Sequence, residues 1–272
     1  MNPAISGMVP YTPAPRDAGL ISLDANESPF DLPRTVRKNF LGKIKNLVFN
    51  RYPDGPSTEL RRAVSRKSGV PADRIVAGNG SDELIGCLID AIVPHGGTVV
   101  VPDPTFVMYE RLGKIRGANI VKIPLDRSFD LSHEFLNPKL LRCADLWFFA
   151  YPNNPTANCF SREILLEILR KAKGVVVIDE AYVDFSGRTF LPLIRRHPNL
   201  VILRTFSKAL GIALGRVGLA FAHPKIANAL NVVRLPYNLS GIGQMLALTT
   251  LDAEREIKKN VRAILSERRK LL

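Results

Sequence analysis

One lysine stands out for its surroundings. The stretch Thr205 to Gly218, Thr-Phe-Ser-Lys-Ala-Leu-Gly-Ile-Ala-Leu-Gly-Arg-Val-Gly, sets Lys208 among uncharged, mostly small or apolar residues just after the apolar run Leu200 to Leu203. Lysine is ordinarily solvated. Where water is scarce its amine loses its proton more readily and becomes a nucleophile toward carbonyls, so the segment reads as a Schiff-base site. Further along, Arg216 adds a second cation, and Gly211 and Gly215 let backbone approach a bulky anionic ligand closely. Together they point to an aldehyde that also carries a phosphate. Taken alone, the same residues would equally describe two surface cations around a glycine-rich turn.

Three upstream segments carry polar groups of the kind such a ligand needs. Gly78-Asn79-Gly80-Ser81-Asp82-Glu83 is a glycine-bearing turn before an apolar helical stretch that runs to about Val93. A helix start of this kind offers unpaired N–H groups and a positive dipole end to a phosphate, although Ser81 and Asp82 would also serve as plain helix caps. In Tyr151-Pro152-Asn153-Asn154-Pro155-Thr156, two prolines stiffen a polar turn and could hold the Asn154 amide toward a ligand, or the residues simply make a turn. Asp179-Glu180-Ala181-Tyr182 directly follows the apolar run Gly174 to Ile178, where a carboxylate has little structural reason to stand.

These segments must be positioned by regular elements. Apolar runs predict strands at Arg74 to Ala77, Thr98 to Val101, Asn119 to Ile123, Leu146 to Ala150, Gly174 to Ile178, Leu200 to Leu203 and Val217 to Ala222. Helices are expected from about Arg34 to Leu47, from an N-cap at Ser57 to about Ser68, from Pro104 through Phe106 and Tyr109, and from Ser161 to Lys171. From Lys225 onward the chain reads as helical, broken at Pro236 and restarting at Ser240. Residues 1–35, rich in Pro, Asn, Asp and Ser, predict an extended arm with turns. Strands separated by helices indicate a doubly wound α/β domain with its ligand at the carboxyl ends of the strands, where every candidate residue falls.

Composition limits the rest. The 272 residues are 46% hydrophobic and 23% charged, enough for one sizeable core plus a smaller lobe. The net charge of +13 is spread along the chain, with no basic motif interleaved with aromatics, so a solvated basic face is expected rather than a nucleic-acid site. No apolar run approaches the roughly 20 residues of a membrane helix, and Met-Asn-Pro-Ala-Ile-Ser-Gly lacks a basic start and an apolar core, so a cytoplasmic protein is expected. Cys87, Cys143 and Cys159 read as free thiols, the four scattered histidines as loop residues, and no metal site is proposed.

Asn-Asn-Pro-Thr, Asp-Glu-Ala-Tyr and Ser-Lys-Ala, in that order, resemble the fold-type I pyridoxal-phosphate aminotransferases. Asn26-Glu-Ser-Pro-Phe, Arg51-Tyr-Pro-Asp-Gly and Arg234-Leu-Pro-Tyr-Asn narrow the likeness to the histidinol-phosphate aminotransferases. The resemblance implies an α/β large domain, a mostly parallel sheet flanked by helices, over residues 36–235. An N-terminal arm (1–35) and the start of an incomplete small domain (236–272) would complete it. Its cofactor would be pyridoxal 5'-phosphate, and its partners a phosphorylated amino substrate, glutamate or 2-oxoglutarate, and a second copy of the chain. In this likeness Lys208 binds the cofactor covalently and shuttles a proton, Asp179 pairs with the pyridine nitrogen, and Asn154 and Tyr182 bond its phenolic oxygen. Phe106 stacks on the ring, while Ser81, Asp82, Ser207 and Arg216 hold the phosphate. Tyr52 would reach the neighbouring subunit's cofactor, and Tyr11 and Asn26 the substrate.

Two departures stand against that pattern. Ala157 replaces the family's usual glycine, which a negative φ would make tolerable. Relatives continue into a small domain whose arginine clamps the substrate, whereas this sequence stops at Leu272. The expectation is therefore cofactor binding with slow or absent turnover, and association through an apolar stripe of Val261, Ile264, Leu265, Leu271 and Leu272. An O-phosphothreonine decarboxylase-like enzyme, a catalytically impaired cofactor-binding fragment and a basic interaction module are the alternatives.

Overall fold

A computed structural model describes residues 3–12, 19 and 21–271. In chain order the helices and strands are α1 (Arg34–Ile44), α2 (Thr58–Ser68), β1 (Ile75–Asn79), α3 (Gly80–Ile92), β2 (Thr98–Asp103), α4 (Val107–Ile115) and β3 (Asn119–Pro124). There follow α5 (Pro138–Cys143), β4 (Leu146–Ala150), α6 (Arg162–Lys171), β5 (Val175–Asp179), the one-turn α7 (Val183–Ser186) and β6 (Leu200–Thr205). β7 (Val217–Phe221), α8 (Pro224–Val233), α9 (Gly241–Leu251) and α10 (Glu254–Leu271) complete the set.

The seven strands form one sheet in the order β1-β7-β6-β5-β4-β2-β3. β7 runs antiparallel to both neighbours, and every other pairing apart from β1 with β7 and β6 with β7 is parallel. This is the α/β arrangement that the strand and helix pattern predicts, and the mostly parallel sheet that the resemblance implies. β4 explains why it has two cores: Trp147 and Phe149 point to one face, Leu146 and Phe148 to the other, and all four are fully buried. Residues of α2, α6 and α9 cover the first face, and residues of α3, α4 and α8 the second. The arm contributes a short turn, Pro3–Ile5, that packs near α4.

The topology gathers one edge. β1, β2, β4, β5 and β6 all end there, and because β7 is reversed, its beginning lies there too. Register places Ala150 beside Asp179, Asp179 beside Leu203, Thr205 beside Gly218 and Asn79 beside Val217. Residues 79, 150, 179, 205 and 217 are far apart in sequence and neighbours in space.

Some local expectations change. Ser57 occupies the cap position of α2 but at φ 51° and without a side-chain capping bond. The Asp54 carboxylate accepts from Thr58 N at 2.5 Å instead. Pro104 does not open α4, which begins at Val107, so Phe106 stands at its cap in extended backbone. Ser81 and Asp82 lie inside α3, whose cap position is Asn79, and Glu83 accepts from Asn79 N at 2.5 Å. His223 caps α8, accepting from Lys225 N. Ala157 has φ 62°, so the condition under which alanine would be tolerable there is not met; its N–H donates to the Asn153 carbonyl in a tight turn. A Cβ in that region costs on the order of 1 kcal/mol.

On α10, Ile257 and Val261 are buried, Ile264 and Leu265 half-buried and Leu271 exposed, while Leu272 lies outside the described residues. Among the described residues no helix is long and apolar enough to cross a membrane.

Candidate active site

The floor is Asp179, the last residue of β5. It is 4% exposed, accepts from Ala181 N at 3.0 Å through Oδ1 and from the Tyr109 hydroxyl at 2.8 Å through Oδ2. Burial is the main influence on its carboxyl and raises it from 3.8 to about 6, the two hydrogen bonds working in the opposite direction. Tyr109 comes from α4, its ring stacked on Phe148 at 4.7 Å and meeting the edge of Phe106 at 5.5 Å. Phe106 is thereby held beside the Asp179 floor.

Lys208 follows β6 by a few residues. Its Nζ donates to the Ala25 carbonyl at 2.6 Å and lies 5.7 Å from the centre of the Tyr182 ring. Burial lowers its basicity, against an opposing pull from Asp82 and Glu27, and Arg216 lowers it further. The direction of that change is the one that favours a nucleophilic amine. Tyr182, three residues beyond Asp179, accepts from Asn26 Nδ2 at 3.1 Å. Asn26 itself sits at φ 49° in the arm, so residues 25 and 26 fold the arm over the site.

The anion side lies between β1, β6 and β7. Arg216, at φ 48° before β7, donates to Asp82 Oδ2 at 3.0 Å and to Ser207 Oγ at 3.4 Å. Ser207 is buried and tied to Thr205. Gly80, at φ 81°, leaves room for the guanidinium, since a Cβ there would stand 2.5 Å from Arg216 Nη2. At Gly218 a Cβ would overlap the Gly80 carbonyl group and Ser81 N. Glycine at these two positions lets the start of α3 lie against β7, with the guanidinium beside its first N–H groups.

Asn154, half-buried on the turn after β4, makes no side-chain hydrogen bond to another described residue, so its amide is available. Its position depends on Asn153, which is 2% exposed. The Asn153 side chain accepts from Thr105 Oγ1 at 2.8 Å and donates to the Pro104 carbonyl and to Thr156 Oγ1. That node ties the Phe106 loop to the Asn154 turn. Tyr52 and Tyr11 are not brought to this group: Tyr52 is 80% exposed and stacks on Tyr237 at 4.4 Å, and Tyr11 is 63% exposed.

The site therefore combines a desolvated amine, a buried carboxyl, an available amide and an arginine beside a helix start. It can bind an anion at one end and move a proton at the other. A family model for aminotransferase class I and II matches residues 18–272. The chain belongs to the class I and II aminotransferases. It is 41% identical over 251 residues to the histidinol-phosphate aminotransferase of Caldanaerobacter subterraneus subsp. tengcongensis, covering 92% of this chain and 71% of that protein. The enzyme of the same name from Pyrococcus furiosus is 40% identical, covering 92% of this chain and 73% of its own length. Among solved structures, histidinol-phosphate aminotransferase from Sinorhizobium meliloti, in complex with pyridoxal-5'-phosphate, superposes with a TM-score of 0.83 at 27% identity, covering 91% of this chain and 68% of that one.

In this aminotransferase, sequence reasoning assigned no part to Tyr109, Asn153 or Glu180. The doubled asparagine was a signal for Asn153, and a second acid directly after Asp179 was one for Glu180. Glu180, its side chain wholly buried, accepts from Arg204 Nε and Nη2, Thr189 Oγ1 and Phe190 N. It braces the loop that leads from Asp179 to Tyr182. Glu180→Ala leaves Arg204 and Phe190 N without this partner and is expected to destabilise the fold by about 3 kcal/mol. Thermal unfolding should show a melting point lower by about 6–12 °C, and a fall of under about 2 °C would contradict the bracing role.

Proposed function

We propose that this chain is a pyridoxal 5'-phosphate-dependent aminotransferase exchanging an amino group between L-histidinol phosphate/imidazole-acetol phosphate and glutamate/2-oxoglutarate in histidine biosynthesis. The observation that carries the cofactor reading is the meeting, on one sheet edge, of the partly buried Lys208 amine and the buried Asp179 carboxyl with the Arg216 guanidinium, which lies against the start of α3 where a Cβ at Gly80 would strike it. The donor set fits a phosphorylated pyridine aldehyde. When bound, pyridoxal phosphate supplies an electron sink for charge developing at the substrate Cα.

Lys208 would hold the cofactor covalently through Nζ and carry a proton to and from the substrate Cα. Asp179 would pair with the pyridine nitrogen and keep its proton in place. Asn154 and Tyr182 would bond the phenolic oxygen, and Phe106 would cover the ring. Ser81, Ser207 and Arg216 would hold the phosphate, Asp82 acting through its ion pair with Arg216. Asn26, bonded to Tyr182, would face the substrate.

A homodimer with shared sites accounts for the exposed aromatics. Tyr52 and Tyr11 would reach a partner's cofactor and substrate, and Val48, Phe49, Tyr52 and Leu235 are large apolar side chains open to water in one chain. Residues 1–35 would serve as the arm, 36–235 as the cofactor-binding domain and 236–272 as the helical start of a small domain, in a cytoplasmic protein. The names of the relatives at about 40% identity support the substrate.

The test is amino transfer from L-histidinol phosphate to 2-oxoglutarate, followed as glutamate formed. The expected result is a higher kcat/KM for histidinol phosphate than for phenylalanine or aspartate. No preference for it, or release of carbon dioxide from O-phosphothreonine in its place, would overturn the substrate assignment.

A further inference from the structure

We propose that Tyr109 is a positioning residue for Asp179, its buried hydroxyl locking the carboxylate in the one orientation in which it can serve a cationic ring nitrogen. The proposal rests on the cofactor reading above. The carboxylate has two anchors of different origin. Ala181 N belongs to its own loop and holds Oδ1 at 3.0 Å, whereas Tyr109 comes from α4, 70 residues earlier, and holds Oδ2 at 2.8 Å. With only the loop anchor, the group could turn about its last side-chain bond. With both, the plane of the carboxylate is fixed, and the remaining lone pairs face fixed directions.

Packing alone does not explain a tyrosine here. Its ring, with no exposed surface, is stacked on Phe148 with an interplanar angle of 4° and abuts Phe106, contacts that a phenylalanine would make as well. The hydroxyl brings a desolvation cost that, among the described residues, only its bond to Asp179 offsets. Burial first, and Asp179 second, hold the phenol well above its ordinary range, so it stays a proton donor throughout the pH range of interest. Besides Tyr109, the titratable groups facing Asp179 are Asp82 from α3 and Glu180 and Tyr182 from its own loop. The neighbouring strands present Ala150 and Leu203, which do not titrate. Tyr109 is therefore the side-chain donor that favours the charged carboxylate.

The measurement is the titration of Asp179 in the cofactor-free protein by carboxyl 13C NMR, its signal identified by its loss in Asp179→Asn. Tyr109→Phe should move the midpoint upward by about one pH unit or more. With pyridoxal phosphate added, the same variant should still be labelled on Lys208 after borohydride reduction but bind several-fold more weakly. A midpoint within about 0.3 unit of the parent's would overturn the proposal, even if the variant melts earlier, because a purely structural role lowers stability without moving that titration. Should Tyr109→Phe not fold, 13Cζ-tyrosine labelling of the parent decides. One buried tyrosine signal that persists in Tyr182→Phe should follow the Asp179 midpoint, and none doing so overturns the proposal. Parent protein that takes up no pyridoxal phosphate sinks the cofactor reading instead, an outcome that the cofactor-free titration keeps separate.

Discussion

Lys208→Ala protein is expected to transaminate about ten-thousandfold more slowly than its parent, about 5.5 kcal/mol in the barrier. The amine does two things that no neighbour can do. In the proposed mechanism it is the nucleophile at this edge, with basicity lowered chiefly by burial, and it would be the base that reaches the substrate Cα. Arg216, the cation that acts on it, is engaged with Asp82 and Ser207. Alanine leaves the anion cradle and Asp179 in place, so the variant should still bind pyridoxal phosphate, reversibly. A small primary amine added to the solution should restore part of the rate, since what is missing is a base at a defined place. A variant turning over within tenfold of its parent would assign the proton transfer to another group.

Asp179→Ala should cost several orders of magnitude in Cα deprotonation, on the order of 4 kcal/mol or more, with the cofactor still attached to Lys208. The same substitution has an opposite effect on the cofactor-free fold. A carboxyl whose folded value of about 6 lies above its ordinary 3.8 favours folding when protonated. That contribution is fully present below pH 4 and is lost as pH rises to about 6, an upper bound of ~3 kcal/mol. Parent protein without cofactor should therefore lose stability across that window, and Asp179→Ala should lack the step. Single-turnover kinetics and urea unfolding at pH 4 and pH 7 measure the two halves. Transamination by the variant within tenfold of the parent would remove Asp179 from the mechanism. A parent whose stability is flat across the window would remove the burial argument.

The two effects explain why some of this molecule is legible in its sequence. β4 and the chain around Asp179 could be read because an unbroken apolar run in a sheet covered on both faces has few alternatives. A charged residue at its end then calls for a function. The direction of β7 was not evident, since alternation and apolarity give a strand's existence and not its polarity. The Phe206 to Arg216 connection, too short for the usual helical crossover, was the available signal. Tyr109 was read as a helix residue beside Phe106 because its partner lies 70 positions away, and sequence spacing within a helix carries no information about that. Ser57 and Ala157 escaped for a local reason: both adopt positive φ, which their residue types do not signal and which the surrounding turns impose. Lys208 and Arg216 were legible because glycines and small residues around a cation are hard to explain by packing.

Reduction with borohydride in the presence of pyridoxal phosphate, followed by peptide mass mapping, tests the central claim most directly. The account predicts one pyridoxyl group, on the peptide containing Lys208, and none in Lys208→Ala. A label on any other lysine of the parent, or no label at saturating cofactor, would contradict it.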